Sequence, residues 1–408
     1  MAMDPDYPKL RAVEAIPVQD NMICLRDPQG LAEKIVLLHP EAFFIVSQFD
    51  GGHSILDIQA SYTRRFGDII FSSRIKELVE QLDEALFLDS ERFRDVSRRV
   101  IEAFRGASVR RATHAGVSYE EDPGVLGKQL DELFDTAGDE SGFEIPEGGI
   151  LRGLIAPHID IRRGGSCFAL GYAELAKSTR ASTFVVLGIS HLPTGRRFVL
   201  TDKDFETPFG VLRADRDFTS ALSSRCTVDY YEDEFIHRNE HSVEFQAVFL
   251  KYLYGNRSDL RIVPILCSSK DESVPDHPPG EDEEFQDLCN SLKELLSERG
   301  DGVCCIAGVD LSHMGQRFGN NITMNPTFLE QLEREDLHMI ETILRGDAEG
   351  FFRTIREERN RRNVCGVPAI YTLLKLLDTG NGHLMKYEQS VDETTQSVVS
   401  FMAASFYT

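Results

Sequence analysis

No apolar run in this chain of 408 residues approaches the roughly 20 needed to cross a bilayer as a helix. The opening stretch, MAMDPDYPKLRAVEAIP, has no basic patch followed by an apolar core. No secretory signal is read there, and the expected compartment is the cytoplasm. Basic residues are few beside acidic ones: Lys plus Arg total 44 against 67 Asp plus Glu, a net charge of −23. Such a field repels phosphate backbones and argues against general nucleic-acid binding. Eight cysteines occur, Cys24, Cys167, Cys226, Cys267, Cys289, Cys304, Cys305 and Cys365, and none forms a C-x-x-C pair. A structural zinc knuckle is therefore unsupported. Several lie inside apolar runs (IVPILC, VCCIAGV), where a free thiol behaves as a small core residue, the usage of a reduced compartment. There is no internal repeat.

The length suits two domains, and 41% hydrophobic with 27% charged residues suits a globular chain. We divide it at residues 1–90, 91–112 and 113–408. In the first part AIPVQDNMICL reads as a hairpin with Gln19-Asp20-Asn21 near its turn, and KIVLLH as another strand. Pro40 starts a helix. Ser54 can cap ILDIQASYTRRF, which Gly67 terminates. Ser72 or Ser73 can cap RIKELVEQLDEALFL, whose Ile75, Leu78, Val79, Leu82 and Leu86 recur at helical spacing. Small strands plus three helices imply a winged-helix shape. Arg92, Arg94, Arg98, Arg99, Arg105, Arg110 and Arg111 then form a connecting helix and linker. We read them as a solvated face, with an anionic partner as the lesser reading.

The third part opens with a helix after Asp122-Pro123, followed by a loop, TAGDESGFEIPEGG. A second, acidic loop covers 270 to 284. LRGLIAPH and STFVVLGISH are continuous apolar runs separated by the helical pattern CFALGYAELAKS, a βαβ unit with parallel, doubly covered strands. LRIVPILCSS and GVCCIAGVDLSH repeat the style around the helix CNSLKELLSER. RFVLTDKDFETPFGVLRAD reads as a decorating hairpin. LMKYEQS and SVVSFMAASFY close the chain as an antiparallel edge pair. The fold class is α/β, with a mixed, mainly parallel sheet flanked by helices.

Three of these strands end on residues of catalytic type: His158, then Ser190-His191, then Asp310 with Ser312-His313 beyond it. Ligands of open α/β sheets sit outside the carboxyl ends of the strands. Two imidazoles at adjacent strand ends, about 4.8 Å apart, could tilt onto one metal. His241 and Glu244 share the first turn of a helix that Asn239 can cap. Cys365 precedes a helix that Pro368 helps start, a position that favours thiolate. Each residue has an ordinary reading taken singly: a hydrogen-bonded strand end, a helix cap, a small buried thiol. Three histidine-bearing strand ends in one domain point to a shared pocket. His114, His237, His277, His338 and His383 are read as surface or structural.

Residues 12 to 90 resemble the PqqD-like family, on LHPEAFFIVSQFDGGHSILDI and LVEQLDEALFLDS. That resemblance implies a winged-helix domain that binds a leader peptide beside a radical-SAM enzyme. Residues 113 to 408 resemble the Memo family (AmmeMemoRadiSam system protein B), on IAPHIDIRRGG, VVLGISH, FETPFGVLRAD, NEHSVEFQAVFL, GVDLSHMGQRFG and NVCGVPAIYTLL. This second resemblance implies a fold similar to class III extradiol dioxygenases. It implies His158, His191 and Cys365 as metal ligands, with His241, Asp310 and His313 lining the cavity. The stretch after APH departs from the family pattern, and Asp160 adds a carboxylate that is either a partner of a ligand or an extra ligand.

A two-His, one-Cys site is softer than the oxygenase triad and suits iron or copper, with zinc as a further option. His313, or His241 supported by Glu244, could then act as acid–base. The expected function is redox or oxygen-related chemistry on a small molecule or peptide. The alternatives are a non-catalytic scaffold that recruits a peptide or a radical-SAM partner, and hydrolysis by zinc-activated water.

Overall fold

The computed structural model describes residues 4–18, 21–32, 34–140, 149–255, 257–270, 277–378 and 380–407. The chain divides into two compact units, Met1–Gly106 and Ala107–Thr408.

In the first unit, β1 (Glu14–Val18), β2 (Met22–Arg26) and β3 (Val36–Leu38) form an antiparallel sheet in that order. Two of the turn residues expected between β1 and β2, Gln19 and Asp20, lie outside the described residues. Helices α1 (Pro40–Val46), α2 (Ile55–Phe66), α3 (Ser72–Glu84) and α4 (Glu91–Gly106) follow. Ser54 and Asp57 close a reciprocal capping box on α2, and Gly67 ends it in the left-handed region at φ 74°. α3 is different: its N-cap is Phe71, and no side chain caps it. Ile75, Val79 and Leu82 turn inward with Leu25, Ile45, Val46, Ile58 and Phe87 to make the core. α4 belongs to this unit rather than to a linker.

The second unit contains β4 (Val109–Arg110), α5 (Pro123–Glu140), β5 (Leu151–Ala156), α6 (Ile161–Ser178), β6 (Thr183–Ile189), β7 (Phe198–Leu200), β8 (Asp204–Thr207) and β9 (Gly210–Leu212). It continues through α7 (Arg216–Arg225), a 3₁₀ turn (Glu234–Arg238), α8 (His241–Tyr254), β10 (Arg261–Cys267), α9 (Glu283–Arg299), β11 (Val303–Gly308) and β12 (His313–Gly315). α10 (Pro326–Leu344), α11 (Ala348–Glu357), α12 (Val367–Leu377), β13 (Gly382–Asp392) and β14 (Ser397–Tyr407) complete it. α5 extends into the expected loop at 136–149, of which 141–148 lie outside the described residues; so do 271–276 of the acidic loop.

The main sheet runs β12-β14-β5-β11-β6-β10-β7, with β13 on the far side of β14. β5, β11, β6 and β10 are parallel. Alternate residues of these strands supply two cores. Leu154, Phe184, Val186 and Ile306 join Phe168, Tyr172 and Phe249 on one face. Ile155, Val185, Leu187 and Ala307 join Leu288, Leu292, Ile370 and Leu374 on the other. The result is three layers, with α6 and α8 covering one face and α9 and α12 the other, so the strands read as unbroken apolar runs.

Two expectations need correction. β5 and β6 are not neighbours, because β11 sits between them. A crossover helix fixes the direction of its two strands but leaves room for a later strand to insert. The closing pair forms as expected: β13 and β14 are antiparallel, β13 is the outer strand, and β14 joins the pair to β5. The expected hairpin, by contrast, splits. β7 joins the main sheet, and β8 with β9 makes a small sheet with β4.

Candidate metal centre

The carboxyl ends of β5, β11 and β6 lie side by side, and each hands its chain to a polar residue. His158 follows β5 and is buried at 2% exposure. Its Nδ1–H donates to the Gly308 carbonyl at 3.0 Å, which leaves Nε2 free of the backbone. Asp310, past the end of β11, accepts the amides of His158 and Ile159 at 2.9 and 3.1 Å. Asp310 therefore fixes the turn that presents His158. Burial pushes the His158 imidazolium down to about 3, helped by the neighbouring His191, so this ring is neutral at ordinary pH. Burial also raises the Asp310 carboxyl above its usual range.

His241 arrives on α8, and glycines explain how. A Cβ on Gly308 would lie 2.6 Å from the Ser242 carbonyl oxygen, and one on Gly188 would lie 2.5 Å from Ser242 Oγ. Only bare backbone at these strand ends lets the first turn of α8 settle over β11 and β6. The Ser242 hydroxyl then accepts the Ile189 amide at 2.9 Å, and Gln246 Nε2 donates to the Pro157 carbonyl at 2.8 Å.

The N-cap of α8 is Glu240, not Asn239 as expected; its carboxylate accepts the Ser242 amide at 2.9 Å. The same buried carboxylate accepts His191 Nδ1–H at 3.0 Å and stands 3.3 Å from His241 Nδ1. One group thus orients two imidazoles and turns their Nε2 atoms away from itself. Burial disfavours the His191 imidazolium, but Glu240 and Cys365 outweigh it and hold its pKa well above the ordinary value. Burial also tends to raise Glu240, yet its electrostatic interaction with His191 and His241, the His191 hydrogen bond and the Ser242 amide hold it well below the carboxylate range. His241 is driven well below its ordinary value by burial.

Three rings meet as a result. Ring centroids are 5.0 Å apart for His158 and His191, 5.1 Å for His158 and His241, and 4.7 Å for His191 and His241. One ligand atom from each of the three lies within 4.8 Å of the others, a set that could hold a metal ion. Cys365 joins from the loop before α12, with Sγ 3.4 Å from His158 Nε2 and 3.6 Å from the Asp310 carbonyl oxygen. Gly366 permits this approach, since a Cβ there would sit 2.7 Å from the Asp310 carbonyl oxygen. Burial pushes the Cys365 thiol up despite His191 beside it, so the thiolate expected from the helix N-terminus is not favoured without a cation. Metal binding would reverse that, because a thiol ligates as thiolate. His313 borders the same region. Its charge is felt at His158, its Nδ1–H donates to the Leu311 carbonyl at 3.1 Å, and burial lowers its pKa.

One expected role changes. Glu244 does not serve as the support of His241. It is buried against Arg110, with the Tyr119 hydroxyl on its other oxygen and His114 Nδ1 at 3.0 Å. Three donors hold its pKa down to about 2 against the opposing effect of burial. Asp160 serves as the N-cap of α6, accepting the Arg162 amide at 2.9 Å.

Three contributors escaped the sequence reading. Arg110, taken for part of a solvated face, is fully buried. It donates to the carbonyls of His237, Glu240 and Arg111 at 3.0, 2.7 and 2.7 Å. His114, read as surface or structural, stands 5.5 Å from the His241 ring. Glu240 carries one signal in the sequence, an acidic residue immediately before a helix start, beside an asparagine with the stronger capping preference.

A family model described as "Memo-like protein" matches residues 110–405. A MEMO1 family protein of Aquifex aeolicus is 27% identical over 403 residues, covering 98% of this chain and all of the relative. One from Methanosarcina barkeri is 31% identical over 301 residues, covering 72% of this chain and 98% of the relative. An uncharacterized protein of Escherichia coli K12 superposes with a TM-score of 0.38 at 12% identity, over 63% of this chain and 99% of that one.

Proposed function

Because the chain belongs to the Memo family, we propose that its second unit binds one metal ion and uses it for redox or oxygen-related chemistry. The observation that carries this reading is the convergence of His158, His191 and His241, with two of the three Nδ1 atoms committed to protein acceptors at hydrogen-bond distance. The donors fit an ion of borderline softness, since imidazole nitrogens dominate and the Cys365 sulfur stands beside them. His158, His191 and His241 would hold the ion, with Cys365 available as a fourth donor. Iron or copper there would supply electron transfer and oxygen activation. Zinc would supply only Lewis acidity.

The remaining residues act on position and protons. Glu240 orients His191 and His241 and offsets the charge of His191. Asp310 holds the His158 backbone. His313 keeps Nε2 for a substrate proton, because its Nδ1 is bound to the Leu311 carbonyl.

The test is metal analysis of anaerobically purified protein beside His191→Ala. The reading requires one equivalent of a coloured, oxygen-responsive ion in the parent and a loss of at least about 100-fold in affinity in the variant. A protein without metal under reducing conditions, or one holding only zinc, counts against the redox reading.

A second reading is a scaffold for a peptide or a radical-SAM partner. It is favoured by large apolar side chains exposed on the first unit, Ile35, Leu37, Leu56, Ile69 and Phe71. Partner binding that survives His158→Ala would support it.

A further inference from the structure

Resting on the metal-centre reading, we propose that residues 108–119 form a positioning strap, and that His114 is the side chain through which the strap fixes His241. The strap is the first stretch of the second unit. Its start, β4, pairs with β8, and the backbone amide of Asp204 donates to the Ser108 carbonyl at 3.0 Å. Arg110 is the strap's anchor. Its guanidinium satisfies the carbonyls of His237 and Glu240, the residues that lead the chain into α8, and pairs with Glu244 one turn inside that helix. Tyr119, at the far end, is fully buried and donates to the other Glu244 oxygen. Glu244 thus ties both ends of the strap to the helix that carries His241.

His114 lies between these anchors. Its backbone amide and its Nδ1 both donate to Glu244, at 3.0 Å each, so the ring cannot turn without breaking a bond to a buried carboxylate. The ring stands edge-on to Phe245 at 5.8 Å and flanks His241 at 5.5 Å. His241 is therefore walled by His114 and stacked on His191 at 4.7 Å. The His241 side chain is 30% exposed, so without this wall its ring has solvent to swing into. A ligand must be held to within about half an ångström to keep its full effect. His114 acts through His241 and is a positioning residue.

The experiment separates this inference from the reading it rests on. In metal-free protein with ring-labelled histidines, His114→Ala should broaden or shift the His241 and His191 resonances. His114→Asn, which keeps a donor near the Nδ1 position, should restore them in part. With copper(II) or cobalt(II) added, the same variant should lose about tenfold in affinity and show an altered ligand-field spectrum, while its melting temperature stays within a few degrees of the parent. Unchanged His241 resonances in His114→Ala overturn the strap whether or not metal binds. A parent protein that takes up no metal, with the resonances shifted as expected, overturns the metal reading and leaves the strap standing.

Discussion

Two buried arginine–carboxylate pairs flank the candidate centre, and they act on it differently. Arg110–Glu244 and Arg362–Asp336 all have side chains at 0% exposure. Around Asp336 the Ser312 and Ser400 hydroxyls donate at 2.6 and 2.5 Å and Tyr387 at 2.9 Å, while Arg362 also binds Glu358. This second pair reaches the centre through backbone: the His313 amide donates to the Arg362 carbonyl at 2.7 Å, and Asn363 donates to the His313 carbonyl at 3.1 Å. The first pair reaches it through a ring, His114 against His241. One clamp shapes the loops that carry His313 and Cys365. The other sets the pose of an imidazole. Buried pairs of equal burial can thus serve stability mainly or geometry mainly, depending on what lies next along the chain.

Breaking the two clamps separately is the way to test that contrast. The largest expected effect is from Arg362→Met, which strands Asp336 and should cost about 3–5 kcal/mol, read as the shift in denaturant midpoint. Adding Asp336→Leu should recover only part of it, because the Ser312, Ser400 and Tyr387 hydroxyls then lose their acceptor. If Arg362→Met alone is neutral, the clamp carries no stability.

The Glu244 clamp should show itself in acid. Its folded pKa is lowered to about 2 from an ordinary 4.5. Its contribution is therefore complete above the ordinary value and lost as pH falls from about 4.5 toward 2, on the order of 3 kcal/mol in total. Unfolding free energy followed across that window should fall less steeply in Glu244→Gln than in the parent. Parallel curves would mean that Glu244 is not the acid-sensitive group.

Gly308→Ala should push α8 off the end of β11, for a loss of about 1–3 kcal/mol with weakened metal uptake. An alanine variant with parental stability would contradict the close approach. The smallest effect belongs to Asp160→Ala, about 1 kcal/mol from a lost helix cap, with metal stoichiometry unchanged. A loss of metal in that variant would identify Asp160 as a ligand.

Local pattern made the strands, helices and strand-end residues legible. Unbroken apolar runs mark doubly covered strands, and His158, His191 and Asp310 stand where such strands stop. Strand order was not legible, because nothing in STFVVLGISH says that VCCIAGV will insert between it and LRGLIAPH. Arg110 was hidden by its arginine neighbours, since composition cannot tell one buried guanidinium from several solvated ones. Glu240 and Glu244 differ in role although both are acidic residues of one helix start. Their roles follow from which way each points, toward the strand ends or toward the strap, and helix phase alone does not fix what will be packed there. In the first unit all three strands precede all four helices. No helix among the described residues is long and apolar enough to cross a membrane.

The most direct measurement is anomalous diffraction from crystals grown with one equivalent of iron or copper. The account predicts a single peak shared by the imidazoles of His158, His191 and His241, with the Cys365 sulfur beside it. A peak elsewhere in the second unit, or three imidazoles with no peak among them in metal-loaded protein, would contradict it.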